Sequence, residues 1–142
     1  MIHFIIATHG PLATAFLQSG RMVYGELENI YAVSLNEDDG IEGFKRDFAT
    51  VLERASLNAD GVLVLCDMQS GTPWNVACQY AFAPNASTPL AVLGGVNFPM
   101  LLQTDDVTSF TDVNAAAAHL LALTESTLVQ AVPVTTTQSD DF

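Results

Sequence analysis

The chain has 142 residues, of which 49% are hydrophobic and 14% charged, and this length is sufficient for one domain with a core of its own. Four Lys and Arg residues stand against 16 Asp and Glu residues, giving a net charge of −12 at pH 7 with His neutral. So acidic a chain repels nucleic acids and anionic membrane surfaces. We therefore expect no nucleic-acid binding, and we expect protein partners with basic faces.

Cysteine usage and hydropathy indicate a cellular location. Cys66 and Cys78 show no CxxC or paired Cys/His spacing, which disfavours a zinc site and a disulfide framework. Buried thiols in a reducing compartment are expected instead. Residues 1–7 are apolar but lack the basic region of a signal peptide, and no run approaches the length of a membrane span. These features predict a soluble, cytoplasmic protein.

Short aliphatic runs alternate with helical patterns along the chain. The runs are nearly continuous, as in parallel strands covered on both faces, and they occupy residues 2–7, 30–35, 61–66 and 90–93. The clearest helix is predicted over residues 41–55, with a core-facing stripe that begins at Ile41. A further helix is predicted over residues 112–125. Residues 128–134 predict a strand, and Pro133 within it favours an edge position.

This alternation predicts an α/β fold with an open, mostly parallel, doubly wound sheet in the order 2-1-3-4 and helices on both faces. Pro11, Pro73 and Pro99 each follow a turn and indicate the first turn of a helix, with Thr72 as the N-cap before Pro73. One domain is expected over residues 1–135. A flexible acidic tail is expected over residues 136–142.

Ligands in such sheets bind past the carboxyl ends of the strands, where the strand order reverses. In the predicted order, that point lies between strands one and three, which are followed by His9 and Asp67. A carboxylate bonded to one imidazole nitrogen leaves the other nitrogen free as a nucleophile or base. The alternatives are that His9 is an ordinary turn residue and that Asp67 caps a helix.

The residues after Asp67 suit an anion. Ser70, Gly71 and Thr72 combine hydroxyl groups, a small residue and the N–H groups of a helix start, and Gly10 likewise leaves room beside His9. A phosphoryl group fits this chemistry, and an ordinary capped loop is the alternative. Trp74 follows this turn and is interpreted first as a core or interface residue, and second as part of a docking patch.

A third turn, over residues 94–100, ends the fourth strand and is a candidate wall of the same site. Its glycines have an alternative role in relieving close packing. The remaining residues that we assign to a docking patch are Asn97, Phe98, Pro99 and Met100.

Other α/β sites fit this pattern poorly. A response-regulator receiver needs acidic metal ligands after the first strand and a late lysine, but His9 occupies that turn and no lysine follows Lys45. The chain has no P-loop, no flavin-phosphate loop and no nucleophile elbow. With four cations in all, it also has no basic phosphate-binding cluster.

Three ordered segments carry a resemblance to a known family. Residues 5–10 read IIATHG, residues 65–75 read LCDMQSGTPWN, and residues 94–101 read GGVNFPML. In order and spacing they resemble motifs of the IIA domain of the mannose-type (mannose, fructose, sorbose) sugar phosphotransferase system (PTS). The resemblance covers residues 1–126, and Ser70 departs from it because the family usually has glycine there.

The resemblance implies a phosphocarrier that takes a phosphoryl group from the phosphohistidine protein HPr and passes it to a IIB component. His9 falls on the phosphorylated histidine, Asp67 on the carboxylate that orients it, and Thr72 on a hydroxyl that lines the site. The resemblance implies no metal and no cofactor. IIB would be a separate polypeptide, and the membrane subunits IIC and IID would act further along and select the sugar.

The resemblance also implies a homodimer that exchanges a C-terminal strand, for which residues 128–134 are the candidate. Two alternative functions remain open from the sequence. One is the phosphotransfer subunit of a PTS-dependent dihydroxyacetone kinase, although Gly10 stands where that family usually has serine. The other is a non-catalytic α/β regulatory module.

Overall fold

Four aliphatic segments form a parallel sheet in the computed structural model, which describes residues 1–134. The strands are β1 (Ile2–His9), β2 (Ile30–Leu35), β3 (Gly61–Cys66) and β4 (Leu90–Leu93). They lie in the order β2-β1-β3-β4, and each neighbouring pair is parallel. The predicted α/β class and strand order are confirmed.

A helix follows each strand. The helices are α1 (Leu12–Val23), α2 (Gly40–Ser56), α3 (Thr72–Ala81), α4 (Phe98–Leu102) and α5 (Val113–Glu125), with a 3-10 turn at Thr104–Asp106 between the last two. Helix α2 extends one residue beyond the predicted range at each end. Helix α5 begins after Asp112, whose carboxylate accepts the N–H groups of Asn114 and Ala115 at 2.9 and 3.3 Å. This N-cap explains why the helix begins there.

Side chains of the central strands alternate between two buried faces. Every residue of β3 is buried; Leu63 and Leu65 pack with residues of α5, whereas Val62, Val64 and Cys66 pack with residues of α2 and α3. Because both faces are covered, the strands are apolar at successive positions rather than at alternate ones. The continuous aliphatic runs of the sequence follow from this arrangement.

The helices that follow β1 and β3 lie on opposite faces of the sheet. Ala13 of α1 packs with Ile6 and Leu101, on the face that also carries α5, whereas Ala77 of α3 packs with Ile5 on the other face. The chain therefore diverges from the carboxyl ends of β1 and β3. This divergence leaves an open edge between these two strands, where the sequence predicts the site.

The C-terminal segment differs from its prediction. Residues 128–134 form no strand with their own chain, and each of them is exposed. The β-branched composition favours an extended conformation, but strand pairing needs a partner edge, and within one copy the segment does not lie against one. The predicted tail over residues 136–142 lies outside the described residues. No helix within residues 1–134 has the length and apolar character to cross a membrane.

Both cysteines are free, but their surroundings differ. Cys66 is completely buried, as predicted, whereas Cys78 is only partly buried. Burial raises the pKa of the Cys66 thiol from 9.0 to about 12, and the negative charge of Asp67 adds to the effect. Because the folded pKa lies above the unfolded one, the folded state is favoured below pH 9 and loses this contribution as the pH rises toward 12.

Alkaline unfolding tests this burial. Between pH 8 and pH 10.5, wild type should lose about 2 kcal/mol more of its free energy of unfolding than Cys66→Ala, because only the unfolded thiol ionises in that range. Urea titrations at the two pH values measure the difference. Cys78→Ala is the matched control and should keep most of the wild-type loss. Equal losses in wild type and Cys66→Ala would contradict a buried, protonated thiol.

Candidate active site

Two side chains meet at the open edge between β1 and β3. His9 is the last residue of β1, and Asp67 is the first residue after β3. The register of the pair, in which Ala7 lies opposite Cys66, carries both residues to the same edge of the sheet. The structure thus brings together the two residues that the sequence analysis singled out.

One carboxylate oxygen of Asp67 holds His9 at two points. Asp67 Oδ2 lies 2.8 Å from His9 Nδ1 and accepts the His9 backbone N–H at 3.0 Å. A carboxylate accepts only from a protonated nitrogen, so in the neutral ring the proton lies on Nδ1 and the lone pair on Nε2. The His9 side chain is 42% exposed and that of Asp67 is 13% exposed. The free nitrogen is therefore accessible, whereas the carboxylate that orients it is shielded.

The second oxygen of the same carboxylate is buried without a partner. Asp67 Oδ1 has no hydrogen bond within residues 1–134. A shielded carboxylate that is only half satisfied favours positive charge nearby. The ring of His9 is in contact with the other oxygen of this carboxylate, Oδ2.

Gly71 provides the surface on which the imidazole ring lies. A methyl group at this position would lie 3.2 Å from His9 Cε1 and 3.3 Å from Nε2, and the φ angle of Gly71 is +88°. Both the space and the backbone conformation therefore require glycine. Gly71 also serves as the N-cap of α3, without a side-chain bond, and the helix begins at Thr72.

This boundary corrects the predicted N-cap at Thr72. The turn is made by Gly71 in a conformation that only glycine adopts readily, so Thr72 already belongs to the helix. Its hydroxyl is not used for capping, and Thr72 lines the same groove as His9. By helix geometry, the first N–H groups of α3 have no intrahelical acceptor and are directed at this edge of the sheet.

Ser70 adopts the left-handed backbone conformation, with φ at +70°. The side chain makes this region costly, by about 1 kcal/mol or more for an L-residue other than glycine. The glycine that the resemblance leads us to expect at this position would avoid this cost, whereas the serine adds an exposed hydroxyl to the loop.

Gly10 does not supply a free donor. Its N–H donates to the Leu35 carbonyl at 2.8 Å, and its φ angle is +58°. This bond occupies the N–H group of Gly10, and the assignment of Gly10 to phosphoryl binding stays a prediction. What Gly10 contributes is a tight turn and the lack of a side chain beside His9.

The turn after β4 is mainly structural. Asn97 Oδ1 accepts the Met100 N–H at 2.8 Å and so caps α4. Met100 is 1% exposed, which removes it from the predicted docking patch, because a buried side chain does not reach a partner. Phe98 and Pro99 are partly exposed and remain candidates.

The packing of Trp74 supports the first of its two interpretations, and its place in a docking patch stays a prediction. It is partly buried against the core beneath α2 and α3. A methyl group on Gly94 would lie 3.1 Å from the Trp74 ring, so this glycine allows close packing, as its alternative interpretation stated.

Two features of the site were missed in the sequence. Thr8 is buried, and its hydroxyl accepts the Ala13 N–H at 2.9 Å, which fixes the start of α1 directly after His9. Ile41 was assigned to the core-facing stripe but is 52% exposed and lines the groove beside His9. The position of Thr8 three residues before Pro11, just ahead of the predicted helix start, is a signal that could have revealed the role of Thr8.

Opposite effects are expected from two substitutions in the loop. Gly71→Ala should destabilise the protein by about 1–2 kcal/mol and displace the His9 ring. Alanine disfavours the φ angle of this position, and its methyl group would lie against the imidazole. Ser70→Gly should leave the ring in place and be neutral or stabilising by up to about 1 kcal/mol. Urea unfolding and the His9 side-chain NMR signals measure the two effects. A Gly71→Ala protein with unchanged stability and signals would refute the packing described.

Comparison with known proteins places this geometry in a family. The model of the PTS system fructose IIA component matches residues 3–121. The sorbose-specific EIIA component of Klebsiella pneumoniae is 33% identical over 125 residues, covering 87% of each chain. The fructose-specific EIIA component of Bacillus subtilis is 33% identical over 103 residues, covering 72% of this chain and 68% of the relative.

A solved structure agrees with both relatives. The mannose/sorbose-specific IIA subunit from Enterococcus faecalis superimposes with a TM-score of 0.78 at 30% identity, covering 95% of this chain and 98% of that one. The matched region includes β1 from its second residue onward, all of β3, and both His9 and Asp67. The chain belongs to the mannose-type family of PTS IIA components, which are phosphocarriers.

Proposed function

We propose that His9 carries the phosphoryl group, receiving it on Nε2 from phosphorylated HPr and passing it to a IIB component for sugar uptake. The observation that carries this proposal is the 2.8 Å contact between His9 Nδ1 and Asp67 Oδ2, which leaves Nε2 unprotonated on an accessible ring. Family membership supports the reaction class, and the geometry supports the choice of residue.

The phosphoryl group is transferred by a displacement between two imidazole rings. The Nε2 lone pair attacks phosphorus, the new N–P bond forms, and the N–P bond of the donor's phosphohistidine breaks with its electron pair returning to the donor ring. His9 then holds a proton on Nδ1 and phosphorus on Nε2, so its ring is positively charged. Asp67 stabilises this charge through the contact of its Oδ2 with Nδ1.

Dipoles rather than cations stabilise the phosphoryl oxygens in this proposal. Thr72 contributes its hydroxyl, and the first N–H groups of α3 provide the positive end of a helix. Ser70 and Gly71 shape the loop around the group. None of these steps uses a metal ion or an organic cofactor.

The proposal also includes the partners of the carrier and its location in the cell. Residues 1–135 would form the IIA domain, with a IIB component as its phosphoryl acceptor, IIC and IID acting in the membrane, and the carrier itself in the cytoplasm. Trp74, Asn97, Phe98 and Pro99 would border the area that the partners cover.

Phosphorylation by purified PTS proteins tests the role of His9. Incubation with enzyme I, HPr and phosphoenolpyruvate should add one acid-labile phosphoryl group to wild type, detected by intact-mass spectrometry, and none to His9→Gln. His119→Gln is the matched control, because His119 is an exposed histidine on α5, and it should be labelled like wild type. Asp67→Asn should slow labelling by roughly 10²-fold to 10⁴-fold, because the ring loses its orientation and its counter-charge.

The proposal fails if folded wild type stays unlabelled with active HPr, or if His9→Gln is labelled as fast as wild type. An unchanged rate in Asp67→Asn would leave the carrier role standing but would refute the function assigned to the carboxylate.

We further propose that the protein is a homodimer in which residues 128–134 add to the β4 edge of a second copy. The proposal is supported by the exposed apolar side chains of the segment, Leu128, Val129, Val132 and Val134. Asn97 Nδ2 lies 3.5 Å from Thr127 Oγ1, so the segment leaves the body of the domain beside the turn that follows β4. Strand β4 lies at the edge of the sheet, and one of its sides pairs with no strand within residues 1–134.

The molecular mass of the protein in solution tests the proposed strand exchange. Light scattering after size-exclusion chromatography should give twice the monomer mass for the full chain at micromolar concentration. The double substitution Val129→Asp/Val132→Asp should shift the protein toward monomer, because buried charges oppose the added strand. A monomeric wild type, or a double variant that remains fully dimeric, would contradict the proposal.

A further inference from the structure

We infer that the Ser70 hydroxyl binds an oxygen of the phosphoryl group on His9 and so lengthens the lifetime of the phosphohistidine. This inference rests on the proposed function and adds a phosphoryl-binding side chain at a position where the resemblance leads us to expect glycine. Its consequence is a carrier that keeps its phosphoryl group longer in the presence of water.

Ser70 holds a backbone conformation that costs free energy. Its φ angle is +70°, and among residues 1–134 the other non-glycine residues in this region are Asn29 and Asn58. Asparagine tolerates the left-handed region better than other residues with a Cβ atom, whereas serine has no such preference. Glycine would form the same turn without the cost. A strained residue beside a reactive group is therefore a reason to look for a use of its side chain.

Ser70 lies within reach of a phosphoryl group on His9. A Cβ atom on Gly71 would lie 3.3 Å from Nε2 of His9, so the backbone of this loop passes directly beside the acceptor nitrogen. Neighbouring Cα atoms are about 3.8 Å apart, which places the Cα atom of Ser70 no more than about 9 Å from Nε2. A phosphoryl group on Nε2 occupies part of this interval, and a hydrogen bond of about 2.7 Å from the serine hydroxyl spans the remainder.

The Ser70 hydroxyl is available for this bond. Ser70 is exposed, and in the part of the chain that the structure describes its hydroxyl has no hydrogen-bond partner. The hydroxyls of Ser56 and Ser126, by contrast, donate to the carbonyls of Leu52 and Leu123 at 2.7 and 2.8 Å. Ser70 therefore gives up no bond within residues 1–134 when it turns to a phosphoryl oxygen.

A lack of cations gives each neutral donor at this site more weight. No Lys or Arg is among the residues that line the groove beside His9, and Glu37 adds a negative charge to it. The phosphoryl oxygens therefore depend on dipoles, which are the first N–H groups of α3, the Thr72 hydroxyl and, in this inference, the Ser70 hydroxyl. Hydrogen bonds to a charged acceptor are also stronger than those between neutral groups.

Hydrolysis of the phosphorylated protein tests the inference without a partner protein. Phosphoramidate is a small phosphoryl donor whose P–N bond breaks, releasing ammonia, as the new N–P bond to an accessible histidine forms. The chain has three histidines, of which His3 is buried, so a His119→Gln background directs the label to His9. Intact-mass spectrometry at neutral pH then follows the loss of the acid-labile group.

Two variants remove the hydroxyl in different ways. Ser70→Ala keeps the Cβ atom and its strain, whereas Ser70→Gly removes both. Each should lose the label about threefold to tenfold faster than the background protein, because one charge-assisted hydrogen bond to the phosphoryl oxygens is missing. With HPr as the donor, the transfer equilibrium should shift toward phosphorylated HPr in both variants.

Controls separate the hydroxyl from the fold. Ser70→Gly should be at least as stable as the background protein in urea, so that a shorter lifetime of its label does not come from a damaged loop. Ser87→Ala removes another exposed serine hydroxyl, from the loop between α3 and β4 at the opposite end of the sheet, and should keep the background lifetime.

Each result decides the inference. Label that lasts as long or longer in either Ser70 variant would overturn it, and a longer lifetime would show that the hydroxyl holds the attacking water. An equal loss in Ser87→Ala would overturn it as well. Labelling by phosphoramidate but never by HPr would refute the carrier role, while the measured lifetimes would still decide the role of Ser70. A His9 that neither donor labels would refute both.

Discussion

The whole site depends on one carboxylate oxygen. Asp67 Oδ2 binds the backbone N–H and the ring nitrogen of His9 together, and so joins the end of β1 to the end of β3. This contact requires that the two strands be neighbours, a condition that the order β2-β1-β3-β4 satisfies. It also requires that the helices after them leave on opposite faces, because otherwise a helix would cover the ring. The fold and the chemistry are therefore linked through a single acceptor atom.

The loop around this contact combines rigidity with access. Consecutive positive φ angles at Ser70 and Gly71 bring the start of α3 against the imidazole, where a side chain on Gly71 has no room. Phosphoryl transfer needs this arrangement, since preorganised N–H dipoles stabilise the transferred group without the cost of reorganisation. In the proposed function the same ring has to be accessible to two partners in turn, and half-exposed apolar residues lie around it.

Much of the fold could be predicted because both faces of the sheet are buried. Three of the four strands have the predicted boundaries, and the His9–Asp67 pair follows from the strand order alone. The exceptions depend on tertiary context. Helical periodicity does not distinguish a buried Ile41 from one at the rim of a groove. Likewise, residues 128–134 have the composition of a strand but find no edge within their own copy.

The central claim is that Asp67 fixes the proton of His9 on Nδ1 and so makes Nε2 the phosphoryl acceptor. Nitrogen-15 NMR of the His9 ring, before and after phosphorylation by HPr, tests this claim most directly. We expect a neutral ring that is protonated on Nδ1 before transfer, and a ring with phosphorus coupled to Nε2 after transfer. A neutral ring protonated on Nε2, or phosphorus attached to Nδ1, would contradict it.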